Sequence, residues 1–117
     1  MSQRSKIRDD ARFRALRLLH KNPEMSQREL ARDIGISAGA VHYVLNALFD
    51  KGLVEFRKFT AAEDKRRYAY ILTTEGLAQK TALTQSFLTR KREEYEALKE
   101  EIKALQSDID REQAARE

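Results

Sequence analysis

The 117-residue chain contains no cysteine and no tryptophan. Without cysteine it cannot form a disulfide, a thiol nucleophile, an iron–sulfur cluster or a cysteine-ligated zinc site. No apolar run approaches the roughly 20 residues that a membrane-spanning helix needs, and the amino-terminal segment lacks the apolar stretch of a signal peptide. We therefore expect a cytoplasmic protein that makes no contact with a membrane.

The sequence is also poor in the residue patterns that enzymes use. Its two histidines, His20 and His42, have no carboxylate cluster beside them at metal-ligand spacing. Neither the G-x-G-x-x-G motif nor a P-loop motif occurs. Adjacent carboxylates such as Asp9 and Asp10 point to different sides of a helix, so they make a poor acid–base pair. We expect no metal, no cofactor and no enzymatic activity.

Charge is divided unevenly along the chain. The net charge is only +4, from 23 lysines and arginines against 19 aspartates and glutamates. Residues 1–92 nevertheless carry 19 basic and 10 acidic side chains, whereas residues 93–117 carry 4 and 9. A basic body favours a polyanionic partner, and an acidic tail is unsuited to contacting the same polyanion.

Pro23 and Gly35 mark the ends of the first two predicted helices. An amphipathic pattern precedes the proline and predicts a helix that ends around residues 20–22. Ser26 and Glu29 form an S-x-x-E capping box, which predicts that a second, short helix starts there. Gly35 can adopt the left-handed conformation that ends this helix.

A third helix and a β-hairpin follow. Ser37 is a good cap for a helix that we expect to reach about Asp50, and its inward face consists of Val41, Val44, Leu45 and Leu48. Residues 53–59 and 66–73 are β-prone runs with period-two spacing, so they predict a hairpin with a long loop. The basic residues of this loop and its flank are Lys65, Arg66 and Arg67.

From Thr74 onward the composition favours one long helix. Its apolar residues mostly advance by alternating steps of three and four, the spacing of a coiled coil, and are Leu88, Tyr95, Leu98, Ile102, Leu105 and Ile109. Lys91 interrupts the pattern. Charged residues flank the apolar ones, which favours a homodimer paired through this helix. Packing of the same residues back onto their own chain remains the alternative.

This order of elements predicts a winged helix-turn-helix. The spacing supports it, because a small residue, Ala31, lets the second and third helices approach, and Gly35 makes the turn between them. The expected fold class is mainly α with a small β-hairpin: a winged helix-turn-helix domain at residues 1–76 and a long carboxyl-terminal dimerisation helix at residues 77–117.

The chain resembles MarR-type winged-helix transcriptional regulators. The resemblance includes a D-x-R motif at Asp64 and Arg66, followed by Leu72, Thr73, Glu75 and Gly76. Over residues 10–105 or so, the chain is more narrowly similar to a short subfamily associated with bacterial exopolysaccharide gene clusters. The segments that carry this similarity are SQRELA (26–31), GIS-x-G (35–39), HYVLNAL (42–48), KG-x-V (51–54), YAYILT (68–73) and LT-x-x-FL-x-RK (83–91), followed by EYEALKEEI (94–102).

The resemblance implies a dimer that binds a pseudo-palindromic operator in double-stranded DNA, often released by a small ligand. Ordinary members are longer and interleave both terminal helices to build the dimer interface and the ligand pocket. Here only one long terminal helix is available, so whether a small-molecule effector exists stays open. The sequence also leaves open a second class of function, a winged-helix adaptor that binds proteins and not DNA.

The outward face of the third helix is the main candidate for reading DNA. It comprises Ser37, Ala38, Gly39, His42, Tyr43 and Asn46. Small residues at its start would let the helix sink toward the bases, and an asparagine can bind adenine through two hydrogen bonds. Gly39 weakens the helix by about 1 kcal/mol relative to alanine, which indicates that its missing side chain serves a purpose. An ordinary solvated face is the alternative.

Two further groups are candidates for contacts with the DNA backbone. Ser26, Gln27 and Arg28 lie at the start of the second helix, where free N–H groups favour a phosphate, although Ser26 has helix capping as an equal alternative. Lys65, Arg66 and Arg67 are expected to contact phosphates or the minor groove. Their alternatives are a solubilising loop and a pair between Arg66 and Asp64.

Overall fold

The computed structural model describes residues 3–60 and 66–117, and the side chains of residues 9–58 and 68–117. Its elements, in chain order, are α1 (Gln3–Lys21), α2 (Gln27–Ile34), α3 (Ala38–Asp50), β1 (Val54–Thr60), β2 (Arg66–Leu72) and α4 (Thr74–Arg116). The two strands form one antiparallel hairpin. The predicted fold class, mainly α with a small hairpin and a long carboxyl-terminal helix, is confirmed.

The chain divides into two compact units, residues 1–84 and residues 85–117. The first unit contains the three short helices, the hairpin and the first turns of α4. The second unit is the remainder of α4. The sequence-based division at residue 76 separates two functions, DNA binding and dimerisation, and it stays a prediction.

Local signals set the boundaries of α1 and α2. α1 ends at Lys21, just before Pro23. At the start of α2 the N–H of Glu29 donates to Oγ of Ser26 at 3.1 Å, and the N–H of Ser26 donates to the Glu29 carboxylate at 3.5 Å. Gly35 caps the other end with φ 82°, and its N–H donates to the carbonyl of Ala31 at 2.9 Å. The predicted capping box and left-handed glycine are both confirmed.

The core of the first unit lies where α1, α2 and α3 pack together. Its largest fully buried side chains are Leu16, Leu19, Leu30, Leu45, Leu48 and Val41. α1 supplies two of them, α2 one and α3 three. Because these positions recur at helical spacing, each helix keeps one face buried and leaves the other to solvent.

Backbone hydrogen bonds join the hairpin to the helices. The N–H of Tyr70 donates to the carbonyl of Pro23 at 2.8 Å, and that of Thr73 donates to the carbonyl of Leu53 at 3.0 Å. The strands pair from Val54 opposite Leu72 out to residue 60 opposite residue 66. The base of the wing is therefore fixed against the turn between α1 and α2.

Gly76 allows α4 to start against the hairpin. A Cβ atom placed at this position would overlap the backbone carbonyl of Leu53. Thr73 accepts the N–H of Gly76 on its hydroxyl oxygen at 3.0 Å and donates the same hydroxyl to the carbonyl of Gly52 at 2.6 Å. The first turn of α4 is thus held directly against the chain that enters β1.

Candidate nucleic-acid interface

The outward face of α3 is exposed as the sequence predicted. All six of its candidate residues, Ser37, Ala38, Gly39, His42, Tyr43 and Asn46, are exposed. On the opposite face Val41, Leu45 and Leu48 are buried, and Val44 is partly buried. The hydroxyl of Ser37 accepts the N–H of Ala40 at 3.1 Å, which fixes the start of the helix. Contact of this face with DNA stays a prediction.

His42 and Asn46 form a contact that the sequence reasoning missed. The side-chain nitrogen of Asn46 lies 3.2 Å from Nε2 of His42, one helical turn earlier. An amide nitrogen can only donate, so this contact is a hydrogen bond in the imidazole tautomer whose Nε2 is an acceptor. Asn46 retains its carbonyl oxygen and a second N–H, the two groups that adenine requires. Their spacing of four residues is the signal that could have revealed the pair.

The surroundings of Gly39 show that packing within the protein does not require a glycine at this position. Apart from its chain neighbours and the nearby backbone of α3, no atom of the described residues lies within 4 Å of where its Cβ would be. Packing inside the protein therefore gives no reason for a glycine in the first turn of α3. The empty space lies on the exposed face, where a partner could approach the helix backbone closely.

The start of α2 places three candidate side chains at the surface. Ser26, Gln27 and Arg28 are all exposed. Ser26 already accepts a hydrogen bond within the capping box, which favours its capping role. Gln27 donates from Nε2 to the hydroxyl of Tyr70 on β2 at 3.3 Å. That bond ties the start of α2 to the wing.

Part of the predicted wing site lies outside the described residues. The backbone of Arg66 and Arg67 belongs to β2, opposite residues 60 and 59 of β1. Their side chains, all of Lys65 and the suggested pair of Asp64 with Arg66 are not among the residues or side chains that the structure describes. Their contribution to DNA binding stays a prediction.

Aromatic side chains stiffen the described part of the wing. Phe56 on β1 stacks on Tyr68 of β2 with ring centroids 5.3 Å apart. The centroid of the Phe56 ring also lies 5.4 Å from that of Tyr70. Phe49 of α3 contacts Tyr70 at 5.9 Å. The ammonium of Lys58 sits 5.7 Å from the Tyr68 ring. Lys58 is a further exposed cation that the sequence reasoning missed, although the period-two aromatics around it indicate one shared face.

The second unit exposes the apolar stripe that the sequence predicted. The exposed fractions of Leu88, Tyr95, Leu98, Ile102, Leu105 and Ile109 run from 46 to 60%. Exposed ion pairs lie alongside it, such as Lys99 with Glu96 at 3.8 Å and Lys103 with Glu100 at 3.5 Å. Contiguous exposed apolar side chains of this size mark an interaction surface.

Within the described residues there is neither a group of three or more potential metal ligands nor a helix with the length and apolarity to cross a membrane.

Comparison with known proteins supports the helix-turn-helix. Residues 8–55 match the family model described as winged helix-turn-helix DNA-binding. No curated protein matches the chain in sequence.

Several solved structures share the fold. The chain is 25% identical to a MarR family protein of Mycobacterium tuberculosis that was solved in complex with salicylic acid. This match covers 79% of this chain and 75% of that protein, with a TM-score of 0.52. It is 22% identical to a Staphylococcus aureus MepR mutant bound to an oligodeoxyribonucleotide. This match covers 87% of this chain and 78% of the mutant, with a TM-score of 0.54. A PadR-like transcriptional regulator of Bacillus cereus is 20% identical, with coverages of 83% and 97% and a TM-score of 0.66.

The match over residues 8–55 supports a DNA-binding winged helix-turn-helix, and the solved structures share the fold of the chain.

Proposed function

We propose that the chain is a MarR-type transcriptional regulator that binds a pseudo-palindromic operator as a homodimer and has no enzymatic activity. The observation that carries this proposal is the exposed polar face of α3 within the matched winged helix-turn-helix. α3 enters the major groove with its amino-terminal end, where small residues permit close approach. His42, Tyr43 and Asn46 supply the polar groups that face the bases.

Contacts with the DNA backbone come from elements on either side of α3. Arg28 at the start of α2 and the basic residues 65–67 are the proposed phosphate contacts. Gln27 holds the start of α2 against Tyr70 of the wing, so both elements approach the duplex in a fixed relation. The net positive charge of residues 1–92 adds an attraction that does not depend on DNA sequence.

The second unit supplies the dimer interface. Its apolar stripe is exposed in the single chain, and its excess of acidic residues disfavours binding to DNA. A second copy of the same helix provides the apolar surface that would cover it. Two linked DNA-binding units then contact half-sites centred roughly 10 base pairs apart, about 34 to 36 Å.

Two finer assignments rest on the sequence resemblance. The similarity of residues 10–105 to the exopolysaccharide-associated subfamily makes such genes the first place to look for the operator. A regulator of these genes acts on DNA in the cytoplasm. The MarR family structure in complex with salicylic acid supports a test of small aromatic acids as effectors.

The decisive experiment is selection of bound fragments from genomic DNA by the full chain, with affinity measured over a series of salt concentrations. A regulator should enrich an inverted repeat, and its affinity should fall steeply as salt rises. A protein-interaction adaptor, the rival function, would enrich no sequence.

Asn46→Ala identifies the reading face. It should reduce discrimination at one position of each half-site by about 1 to 3 kcal/mol. Asp50→Ala, at the carboxyl end of the same helix, is the matched control and should leave base preference unchanged. Uniformly weaker binding of the Asn46 variant, with its preference intact, would reassign Asn46 to a phosphate contact.

A further inference from the structure

Heptad positions in the second unit follow from its apolar spacing. In the usual letters a to g, position a falls at Leu88, Tyr95, Ile102 and Ile109, and position d at Lys91, Leu98 and Leu105. Among parallel coiled coils, isoleucine at a combined with leucine at d, as at Ile102, Ile109, Leu98 and Leu105, favours two strands over three or four. The same pattern therefore predicts a pair, and the direction of that pair depends on its layers and flanking charges.

We propose that α4 pairs with α4 of a second copy as a parallel, in-register coiled coil over residues 88–109. The proposal rests on the homodimer of the proposed function and adds the direction and register of its interface. Two features support the parallel direction, the apolar layers and the flanking charges, and the position of Lys91 bears on the register.

Apolar layers are more numerous in the parallel arrangement. In register, each of the six apolar residues faces its own copy, which gives six apolar layers. An antiparallel pair sets a positions against d positions. With Leu98 opposite Ile102 of the second copy, Leu88 would face Glu112 and Ile109 would face Lys91. Four of the apolar side chains in that dimer would then lie against charged residues.

The charged residues that flank the apolar stripe distinguish parallel from antiparallel pairing more strongly than the apolar layers do. Position e is occupied by Arg92, Lys99 and Gln106, and position g by Glu94, Glu101 and Asp108. In a parallel pair, a g residue faces the e residue of the next heptad on the other helix, so Glu94 meets Lys99. In an antiparallel pair e faces e and g faces g. Acidic residues would then meet acidic residues, and Lys99 would approach its own copy.

The contacts that Lys99 makes within its own chain leave it free to pair with Glu94 of the second copy. Its ammonium lies 3.8 Å from Glu96, and the two side chains are 44 and 66% exposed. An exposed ion pair of this kind contributes little to stability, so exchanging it for Glu94 of the second copy costs little.

Lys91 occupies a d position, so in register it lies in one layer with Lys91 of the second copy, at a cost in stability. Its ammonium lies 3.1 Å from the Glu94 carboxylate and 5.1 Å from the centroid of the Phe87 ring. The long side chain thus reaches toward position g, where its charge remains at the edge of the interface. A single polar residue in an apolar seam also restricts the register in which two helices can pair.

A single cysteine tests direction directly, because the natural chain contains none. Glu112 is the d position that follows the stripe. In a parallel pair Glu112→Cys places two thiols in one layer, within reach of a disulfide, so a glutathione redox buffer should yield a covalent dimer. In the antiparallel pair described above the two sites are 24 residues apart along the axis, about 36 Å. Asp110→Cys, at the outward b position, is the matched control and should stay monomeric on a denaturing gel.

A charge reversal tests the register. Lys99→Glu places two carboxylates at each of the two symmetry-related contacts between Glu94 and residue 99, so the dissociation constant of the dimer should rise about tenfold. Lys103→Glu makes the same charge change and also breaks an exposed pair, with Glu100 at 3.5 Å, but it lies at the outward b position. It should change the constant less than twofold. Adding Glu94→Lys to Lys99→Glu should restore part of the loss, since it re-forms the pair with residue 99 but removes the carboxylate beside Lys91.

The outcomes separate this proposal from the proposed function. A covalent dimer of Glu112→Cys, with none from Asp110→Cys, supports the parallel pair. A dimer in sedimentation that forms no disulfide through residue 112 overturns the parallel direction and leaves the homodimer intact. A full chain that stays monomeric at micromolar concentration overturns both. Loss of operator binding with the disulfide retained would count against the DNA-binding proposal alone.

Discussion

Replacing Leu98 and Leu105 by aspartate should convert the dimer to a monomer. The two leucines are 53 and 57% exposed in the single chain, so pairing can bury about half of each side chain. Full burial of a leucine is worth about 1.5 to 3 kcal/mol, and half of this amount is about 0.8 to 1.5. The four leucines in each dimer therefore contribute about 3 to 6 kcal/mol. Their loss alone raises the dissociation constant at least about 100-fold, and the buried carboxylates add to this effect.

Sedimentation velocity at micromolar concentration is the suitable assay, with circular dichroism to verify that the helices persist. Ala97→Asp with Ala104→Asp is a matched control, because it adds the same charge one residue away, at exposed c positions. The control should remain dimeric. Operator affinity should fall sharply only in the leucine variant, since bivalent binding is lost. A leucine variant that is still dimeric would refute the reasoning and move the interface to α1 or to the segment around Leu83, Phe87 and Leu88.

Three other substitutions test the first unit. Gly39→Leu should leave the unfolding free energy in urea unchanged or raise it by up to about 1 kcal/mol, because its site is empty. The same variant should abolish operator binding, and retained binding would show that DNA does not approach this turn. Gly76→Ala should lower the unfolding free energy by about 1 to 3 kcal/mol, because the new Cβ overlaps the Leu53 carbonyl; a wild-type urea midpoint would contradict that contact. Changing the basic residues 65–67 to alanine should flatten log K against log salt by about 2.7 per subunit if all three contact phosphates; an unchanged slope with altered A·T preference would indicate a minor-groove role.

The helices and the turn between them could be predicted because their signals are local. The capping box of Ser26 and Glu29 acts over four residues, and Gly35 acts through its own backbone conformation. Helical periodicity likewise identified the buried face of α3, and with it the outward face. These features depend on neighbours along the chain, so a single sequence contains them.

Contacts between distant segments could not be predicted in the same way. Gln27 and Tyr70 are 43 residues apart, and their hydrogen bond depends on how the hairpin packs against α2. Gly76 appeared in the sequence only as part of a family motif. Its physical reason, the close approach of the Leu53 carbonyl, becomes visible only in three dimensions. Side-chain pairing across the fold is set by tertiary geometry, which composition and spacing do not determine.

The partial exposure of the apolar stripe has a consequence for regulation. Because each stripe residue would gain only about half of a full burial, the proposed pairing of α4 is a moderate interaction that must also offset the entropy lost on association. A proposed operator with two half-sites would bind the dimer more tightly than it binds two separate monomers, so by linkage the DNA would stabilise the dimer. Operator occupancy should therefore depend on protein concentration more steeply than for a permanent dimer. Substitutions in the stripe would change that steepness without altering any residue that faces the DNA.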